Sequence, residues 1–436
     1  MRLHCHLGNV MLQSVEIRNL SCIKELQLKL DFAEGKAPNG YRDHPLLSFI
    51  QMGKSANSRM CPVLAIYGPN ASGKTTILRA VRVLHDVVKH GWHPAAYEPN
   101  RISATQEDIT YIALRFWKGE EQYFYSLGIS ADGIANERLD CCGVTVFSVE
   151  NSKLKVLKET FEPQMADILS QFETRCVNLL TGKQVNAFVQ VFAEVLPGLS
   201  REVLSAREFL ISDLLFVDRN VDYYNGIEML ALTYEGAPEE RRQAALALIS
   251  KYLQKLDVRI LGLNLIKKSA GDENDLHWRR RSWTTSRYSS EDYHLKTLHK
   301  AESGQYIWFD LQSESEGTQQ LIGMLGALLT AVRLGKTVLI DELDDSLHSL
   351  LLQELVKLFK EKRINETAAQ IVFTLHNTDL LAANFLGVSE VAIVNQVGYF
   401  GTRVMRLVDL PGIRNGSDFR RRYLRGDFGG IPFPCV

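Results

Sequence analysis

Hydrophobic and polar positions alternate along the first part of the chain as they do in β-strands. The segment from Met11 to Phe32 alternates twice and predicts a pair of short strands. After a Gly-, Pro-, Ser- and Asn-rich loop, CPVLAIYG (61–68) predicts a short buried strand, and KTTILRAVRVLHDVVK (74–89) has its apolar residues at helical spacing. Three more strand-like runs, ITYIALRFW, EQYFYSLGI and VTVFSV, complete a mixed α/β lobe over residues 11–150.

The pattern then becomes mainly helical over residues 151–300. Three amphipathic segments predict helices, but none continues as heptads for long enough to form an extended coiled coil. The polar stretch 267–300 predicts a mobile loop. From residue 301 onward, helices alternate with the strands TVLIDE, QIVFTL and EVAIVN, which predicts a parallel sheet in a second α/β lobe, residues 301–436.

A phosphate-binding loop joins the buried strand to the helix of the first lobe. GPNASGKTT fits the pattern G-x-x-x-x-G-K-[ST] in the required strand–loop–helix setting. Backbone N–H groups and the helix N-terminus would hold phosphates, Lys74 would reach the β- and γ-phosphates, and the Thr75 hydroxyl would bind Mg²⁺. The predicted nucleotide-binding residues are Gly68, Pro69, Asn70, Ala71, Ser72, Gly73, Lys74, Thr75 and Thr76.

Four carboxylates cluster just after the apolar strand VLI, in the segment DELDD (341–345). A phosphate loop needs a second strand that carries an acidic residue near the metal, and Asp341 meets this need. Glu342 would orient and deprotonate the attacking water. The alternative is a solvated acidic loop after a strand. With a phosphate loop upstream, we expect Asp341 to bind Mg²⁺ and Glu342 to be catalytic.

A second anion-binding pattern precedes the long amphipathic helix of the second lobe. The Ser-x-Gly-Thr step of SESEGTQQL, at Ser315, Gly317 and Thr318, stands at a predicted helix start. On its own this step also fits a simple helix cap. Together with DELDDSLH (341–348) and TLHN (374–377), it becomes a specific pattern.

These motifs together resemble the ABC-type ATPases of the SMC and OLD-like branches. In that class two heads enclose two ATP molecules, and the phosphate loop of one head faces the signature of the other. The resemblance implies that Ser315, Gly317 and Thr318 act across a dimer interface. It also implies that His376 is the switch histidine at the γ-phosphate and the attacking water, with a purely structural histidine as the alternative. The loop between the two sites (the D-loop) corresponds to Asp344, Asp345 and Ser346.

The chain resembles one prokaryotic group more specifically, the AAA/ABC-like ATPases of abortive-infection systems (AbiL and RloA types, with the PARIS ATPase subunit as a relative). The shared features are chain length, DE-hydrophobic-D-x-SLH, ESEGT and a terminal RYLRGDFGGIP. The likeness covers residues 11–150 and 301–436. The chain departs from the group at Asn19–Cys22, where relatives carry a nucleotide-contacting arginine. Gln106 is one candidate for the metal-sensing glutamine.

Charge and cysteine usage narrow the choice of partners. The formal net charge is −1, so any nucleic-acid contact would be local. The segment HWRRRSW (277–283) could bind nucleic acid, form a solvated loop or contact a protein, and the arginines at 420–425 are expected to pair with acidic core residues. Seven scattered cysteines predict reduced thiols in a cytoplasmic protein. Neither a membrane span nor a signal peptide is predicted.

The resulting hypothesis is an α/β P-loop NTPase of the ABC-ATPase head type with a mainly helical insertion. It would bind ATP and Mg²⁺, self-associate through the ATP sandwich and act as a sensor subunit of an anti-phage system, with a phage protein as a conceivable trigger. No Asp-x-Asp of a Toprim nuclease follows Glu342, so a separate effector such as a nuclease is expected. The alternatives are an SMC-like DNA-repair ATPase and, ranked lower, a transporter motor.

Overall fold

The computed structural model describes residues 9–33, 46–54, 58–101, 108–217, 238–255, 258–267, 293–344, 349–382, 385–396 and 401–431. The chain forms two compact units. Unit 1 comprises Met1–Phe216 and Ala331–Val436, and unit 2 comprises Val217–Thr330. The three-part division at residues 150 and 300 stays a prediction, and residues 151–216 belong to unit 1.

The strands of the described residues, in chain order, are β1 (Val10–Leu20), β2 (Ile23–Lys29), β3 (Ile50–Gln51), β4 (Arg59–Met60), β5 (Val63–Tyr67), β6 (Thr110–Lys118), β7 (Glu121–Ser130), β8 (Gly133–Cys141), β9 (Val144–Glu150), β10 (Lys153–Leu157), β11 (Val177–Asn178), β12 (Lys183–Gln184), β13 (Leu214–Val217), β14 (Gly262–Lys267), β15 (Tyr293–Lys300), β16 (Tyr306–Asp310), β17 (Thr337–Ile340), β18 (Gln370–Thr374), β19 (Val391–Gln396) and β20 (Thr402–Arg406). The α-helices are α1 (Lys74–His90), α2 (Met165–Gln171), α3 (Phe188–Val195), α4 (Arg201–Glu208), α5 (Glu239–Lys255), α6 (Glu316–Leu334), α7 (Ser349–Lys360) and α8 (Phe419–Leu424).

A nine-stranded antiparallel sheet forms one layer of unit 1, in the order β10-β9-β8-β7-β6-β1-β2, with β12 attached to β8 and β11 to β12. The predicted strand pair in residues 11–32 is confirmed as β1 and β2. Strand β8 was not predicted, because one of its inward positions is Glu137, which is 1% exposed. Reading polarity alone assigns such a carboxylate to solvent. Its partners, described below, explain why it is buried.

A second, six-stranded sheet of unit 1 has the order β13-β17-β18-β5-β19-β20. The pairs β17/β18, β18/β5 and β5/β19 are parallel, and β19/β20 is antiparallel. The predicted parallel sheet is therefore confirmed, and with it the predicted α/β class. β5 comes first of these six strands in the sequence, yet it lies between two strands of the C-terminal segment.

The helix predicted between β18 and β19 is not present in the described residues. Two short 3₁₀ turns, Asp379–Leu381 and Val388–Glu390, take its place. The first turn begins where the Asn377 side chain accepts a hydrogen bond from Asp379 N at 2.7 Å. Asn and Asp side chains that bond nearby backbone groups compete with helix formation, which accounts for the wrong prediction.

Helix α1 positions the phosphate loop rigidly. Its apolar stripe, which includes Ile77, Val81 and Leu84, is fully buried in one continuous core that also contains residues of both sheets of unit 1. Burial of each such side chain contributes roughly 1.5–3 kcal/mol. Because the start of the helix follows directly from the loop, the core fixes the loop from its C-terminal side.

A buried glutamine ties the two sheets of unit 1 together. The register of β1 against β6 shifts between Leu12 and Ser14, which leaves backbone groups to be satisfied. Gln370 Oε1 accepts from Leu12 N at 2.8 Å, and its Nε2 donates to Leu12 O and Cys61 O at 3.0 Å each. Gln370 stands at the start of β18, so the strand that leads to His376 is anchored to the antiparallel sheet.

Unit 2 contains α5, the antiparallel sheet β14-β15-β16 and most of α6. In this sheet Leu298 of β15 pairs with Trp308 of β16. Part of the stretch predicted as a mobile loop, Tyr293–Lys300, is the central strand β15. Lys267 is the last residue of β14, and residues 268–292, including the basic segment HWRRRSW (277–283), lie outside the described residues.

Candidate functional site

The loop Gly68–Gly73 leaves the buried end of β5 and enters α1. Gly73 has a φ of 101° and a Cβ there would lie 2.6 Å from Thr402 Oγ1. At Gly68 a Cβ would lie 2.4 Å from Val394 O. Both glycines are therefore required by close packing around the loop, against the Thr402 side chain at Gly73 and the Val394 backbone at Gly68.

The Lys74 side chain is folded back over the loop and is 5% exposed. Its ammonium donates to Gly68 O at 2.7 Å and to Pro69 O at 2.9 Å. Burial lowers the pKa of Lys74, while the nearby charges of Asp341 and Asp344 act in the opposite direction. The amine is thus held at the mouth of the loop by two neutral acceptors, which a phosphate could replace with a charged one.

The phosphate loop and the acidic strand end meet directly in unit 1. Thr75 Oγ1 donates to Asp341 Oδ2 at 2.9 Å, although the two residues are 266 positions apart. On its other side, Asp341 Oδ1 accepts from Thr374 Oγ1 at 2.6 Å. Parallel strands β17, β18 and β5 bring their carboxyl ends to one edge of the sheet, which explains this convergence. The structure brings together the two predicted metal ligands.

Glu342 and His376 stand beside this contact. Glu342 Oε1 lies 3.8 Å from His376 Nε2, and the two side chains are 20% and 39% exposed. Glu342 has a φ of 53°, so the chain turns sharply directly after Asp341. Glu342 N donates to Thr374 Oγ1 at 2.7 Å, which holds this turn against the end of β18. The two predicted catalytic residues are therefore neighbours in space.

The predicted D-loop begins at Asp344, whose carboxylate contacts its own chain. Asp344 Oδ2 accepts from His376 N at 2.8 Å and from Asn377 N at 2.5 Å. Asp345, Ser346 and His348 lie outside the described residues, as does Gln106. The partner-facing role of Asp344, Asp345 and Ser346 stays a prediction.

The predicted signature belongs to unit 2 and shows a local capping contact. Ser315 Oγ accepts from Thr318 N at 3.3 Å and lies 2.9 Å from Thr318 Oγ1. Ser315, Glu316 and Gly317 are exposed, and no atom of the described residues lies within 4 Å of a Cβ built on Gly317. This contact is the helix cap that the sequence analysis kept as the alternative. A cap of this kind leaves the N-terminus open to an anion.

Residues that the sequence analysis did not single out also shape the site. Thr402 of β20 contacts the loop from the side, with Oγ1 donating to Ser72 O at 3.0 Å. Cys22, in the turn after β1, also contacts the start of α1, and its Sγ lies 3.4 Å from Thr76 Oγ1. Neither residue belongs to a spaced motif, so only the fold could identify them. The five described cysteines are free thiols: Cys22, Cys61, Cys141, Cys142 and Cys176.

One arginine of the C-terminal tail supports the turn that carries His376. Arg420 Nη2 pairs with Asp379 Oδ1 at 3.1 Å, and Arg420 Nε donates to Thr378 Oγ1 at 3.2 Å. The expected pairing of tail arginines with core carboxylates is confirmed for this residue. None of the helices in the described parts of the chain has the length and apolar character needed to cross a membrane.

Solved structures with a similar fold include two SMC heads and a recombination mediator protein. An SMC head bound to the C-winged helix domain of ScpA has a TM-score of 0.46 and 12% identity, and the alignment covers 90% of this chain and 96% of that chain. The SMC head of Thermotoga maritima has a TM-score of 0.39 and 12% identity, with 91% and 98% covered. The recombination mediator RecF with ATPrS has a TM-score of 0.40 and 12% identity, with 92% and 99% covered. No curated protein matches the chain.

A family model matches most of the chain, over residues 63–142 and 186–382. These ranges include the phosphate loop, the signature step, Asp341, Glu342 and His376. The residues that meet at the edge of the parallel sheet are thus within the region that defines the family. The chain belongs to the AAA-domain family described as "AAA domain, putative AbiEii toxin, Type IV TA system".

Proposed function

We propose that this protein binds and hydrolyses ATP with Mg²⁺ at the edge of the parallel sheet in unit 1. The observation that carries the proposal is the 2.9 Å contact between Thr75 and Asp341, with Glu342 and His376 beside it. A hydroxyl at the start of the loop helix and a strand-end carboxylate are the protein ligands that P-loop NTPases use for Mg²⁺. AAA-domain membership supports the same conclusion.

The donor set fits a hard divalent cation. Thr75 Oγ1 and the Asp341 carboxylate provide oxygen ligands, and Mg²⁺ sites commonly use one or two protein oxygens together with phosphates and water. Thr374 binds the other Asp341 oxygen and so orients the carboxylate. When bound, Mg²⁺ neutralises charge that develops on the β- and γ-phosphate oxygens.

Each residue of the site then has a distinct task. Lys74 would exchange its two carbonyl acceptors for phosphate oxygens, gaining charge-assisted hydrogen bonds. Glu342 would orient the attacking water and accept its proton. His376, adjacent to Glu342, would contact the γ-phosphate and keep the water in line.

We further propose that two copies assemble around ATP, with Ser315, Gly317 and Thr318 of one copy at the γ-phosphate held by the other. The exposed, capped start of α6 supports this role because its N–H groups are available to an anion. ATP would then stabilise the assembled state over the open one, which makes assembly a switch.

The biological role we propose is a sensor or scaffold subunit of an abortive-infection system that controls a separate effector such as a nuclease. The family description, which names a putative AbiEii toxin and a type IV toxin–antitoxin system, supports a role in this class of systems. The proposed alternative is an SMC-like DNA-repair ATPase. DNA-stimulated hydrolysis by the isolated protein would favour the alternative.

The test of the proposed chemistry is substitution of Glu342. Glu342→Gln is nearly isosteric and is expected to lower kcat by about 10²–10⁴-fold while ATP still binds, because general-base action contributes about this much. Turnover and nucleotide affinity are measured for this variant and for Glu150→Gln, an exposed residue at the end of β9. Wild-type turnover by Glu342→Gln would place the base elsewhere.

Assembly is tested by complementation. Ser315→Arg and Lys74→Ala proteins should each be inactive, because one lacks a usable signature and the other lacks the phosphate-binding lysine. Mixing them restores one composite site that contains an intact loop and an intact signature. Failure to recover activity with both proteins folded would count against an intermolecular site.

A further inference from the structure

The carboxylate of Asp344 is directed into its own subunit. Oδ2 accepts from two consecutive backbone N–H groups, those of His376 and Asn377, at 2.8 and 2.5 Å. Oδ1 is inaccessible to solvent and has no hydrogen-bond partner among the residues that the structure describes. These contacts indicate that the Asp344 carboxylate has a role within its own subunit.

Asp344 completes a reciprocal tie between two loops. In one direction the end of β18 holds the loop after β17: Glu342 N donates to Thr374 Oγ1 at 2.7 Å and Leu343 N donates to Thr374 O at 3.0 Å. Conversely, the Asp344 carboxylate, in the loop after β17, accepts hydrogen bonds from His376 N and Asn377 N, just beyond β18. The 3.8 Å separation of Glu342 Oε1 and His376 Nε2 lies between these two sets of bonds.

The segment beyond His376 is anchored independently. Asn377 Nδ2 donates to Ser349 Oγ at 2.8 Å, and Asp379 pairs with Arg420. These contacts fix the far side of the turn. On the side of the turn that carries His376, the two bonds to Asp344 join the backbone of His376 and Asn377 to the Glu342 loop.

We propose that Asp344 is a positioning residue for hydrolysis, whose carboxylate holds the His376 backbone so that the imidazole stays against Glu342. This inference rests on the proposed ATPase function. A charged oxygen that accepts two N–H groups forms stronger bonds than a neutral one, so an amide in its place loosens the turn without emptying the space. Such a change should alter the position of the attacking water more than nucleotide binding. The hydrogen bonds of Lys74 and Thr75 in the described site go to Gly68, Pro69 and Asp341 and not to Asp344.

The experiment is a double-mutant cycle with His376. Asp344→Asn should lower kcat by about 10- to 100-fold, the range seen when a supporting residue is removed or a group is misplaced by about 1 Å. The affinity for a non-hydrolysable ATP analogue should not fall by more than about 2-fold, because loss of a negative charge near Lys74 does not disfavour an anionic ligand. In a His376→Gln background the same substitution should have almost no further effect, because the group that it positions is already gone.

The matched control is Asp140→Asn, which removes the same charge on β8, where Asp140 pairs with Arg138. An equal loss of kcat in both His376 backgrounds, or unchanged kcat in Asp344→Asn, would overturn the inference. A loss of analogue affinity that parallels the loss of kcat would also overturn it, since a purely structural role has that signature. If Asp344→Asn does not fold, Asp344→Ser retains a small acceptor and is judged by the same criteria.

Failure of this inference can be told from failure of the proposed function. Absence of turnover in the wild-type protein, or normal turnover by Glu342→Gln, rejects the ATPase proposal and this inference with it. Loss of turnover by Glu342→Gln together with normal turnover by Asp344→Asn rejects the positioning role alone.

Discussion

Gly73→Ala provides the sharpest check of how the phosphate loop is held. Gly73 has a left-handed φ of 101°, and an added Cβ would lie 2.6 Å from Thr402 Oγ1, 2.9 Å from Thr402 Cγ2 and 3.1 Å from Cys22 Sγ. Gly143 is a matched control, with a φ of 81° and no atom of the described residues within 4 Å of its Cβ position. The two sites share a left-handed backbone and differ in the crowding around the Cβ position.

The expected magnitudes follow from these two environments. A left-handed conformation costs an L-residue roughly 1–2 kcal/mol, and this applies to both glycines. Overpacking adds about 1–3 kcal/mol at Gly73 alone. The free energy of unfolding should therefore fall by about 2–5 kcal/mol for Gly73→Ala and by about 1–2 kcal/mol for Gly143→Ala.

The assay is denaturant unfolding of both variants beside the wild-type protein, with ATP-analogue affinity as a second readout. Gly143→Ala should bind the analogue normally, whereas Gly73→Ala should not. Equal destabilisation by the two substitutions would refute the crowding argument. Thr402→Ala removes the two nearest crowding atoms, so the double variant with Gly73→Ala should be more stable than the two single effects predict by about 1 kcal/mol or more.

Two further predictions concern buried charges in unit 1. Lys360 and Glu390 form a buried ion pair whose side chains are 6% and 3% exposed. Lys360→Met leaves the Glu390 charge buried without its lysine and should lower the free energy of unfolding, measured by denaturation, by about 3–5 kcal/mol. Recovery of stability in Lys360→Met/Glu390→Gln would confirm the cause. Burial raises the pKa of Glu137 in the folded protein, although its carboxylate accepts four hydrogen bonds. The folded protein therefore binds this proton more tightly than the unfolded chain does. The resulting stabilisation is complete below the unfolded pKa of about 4.3 and is lost as the pH rises through the folded pKa. The stability difference between wild type and Glu137→Gln should therefore shrink from pH 4 to 7, and a difference that grows would contradict this.

The main chemistry of the candidate site could be predicted from sequence because it rests on short, spaced patterns. GxxxxGKT places Lys74 and Thr75 at a helix start, and an apolar strand ending in Asp341 places a carboxylate at a strand end. Parallel packing then brings both to one edge of the sheet. The 2.9 Å contact between Thr75 and Asp341 agrees with that reasoning.

The supporting residues could not be predicted, because their roles depend on backbone partners. Asp344 binds N–H groups about thirty residues away, and backbone groups leave no trace in a residue pattern. Thr402 is a single threonine on an edge strand that contacts the loop only after β19 pairs with β5 and β20 with β19. Glu137 was overlooked for a related reason: two of its four donors are the N–H groups of Phe188 and Val189 at the start of α3.

The position of β5 links the integrity of the site to the folding of unit 1 as a whole. β5 carries the phosphate loop, and its two neighbours, β18 and β19, both come from the C-terminal segment: Ile371 pairs with Val63, and Val391 pairs with Ala65. The loop therefore cannot be held between its supports until strands about 300 residues later have formed. A ligand that binds Lys74, Thr75 and Asp341 together bridges both segments and stabilises only the paired state, by about 2.7 kcal/mol at one hundred times its dissociation constant. On the proposed function, ATP would then act on the stability of unit 1 as well as on the assembly of heads, and the two effects have the same structural origin.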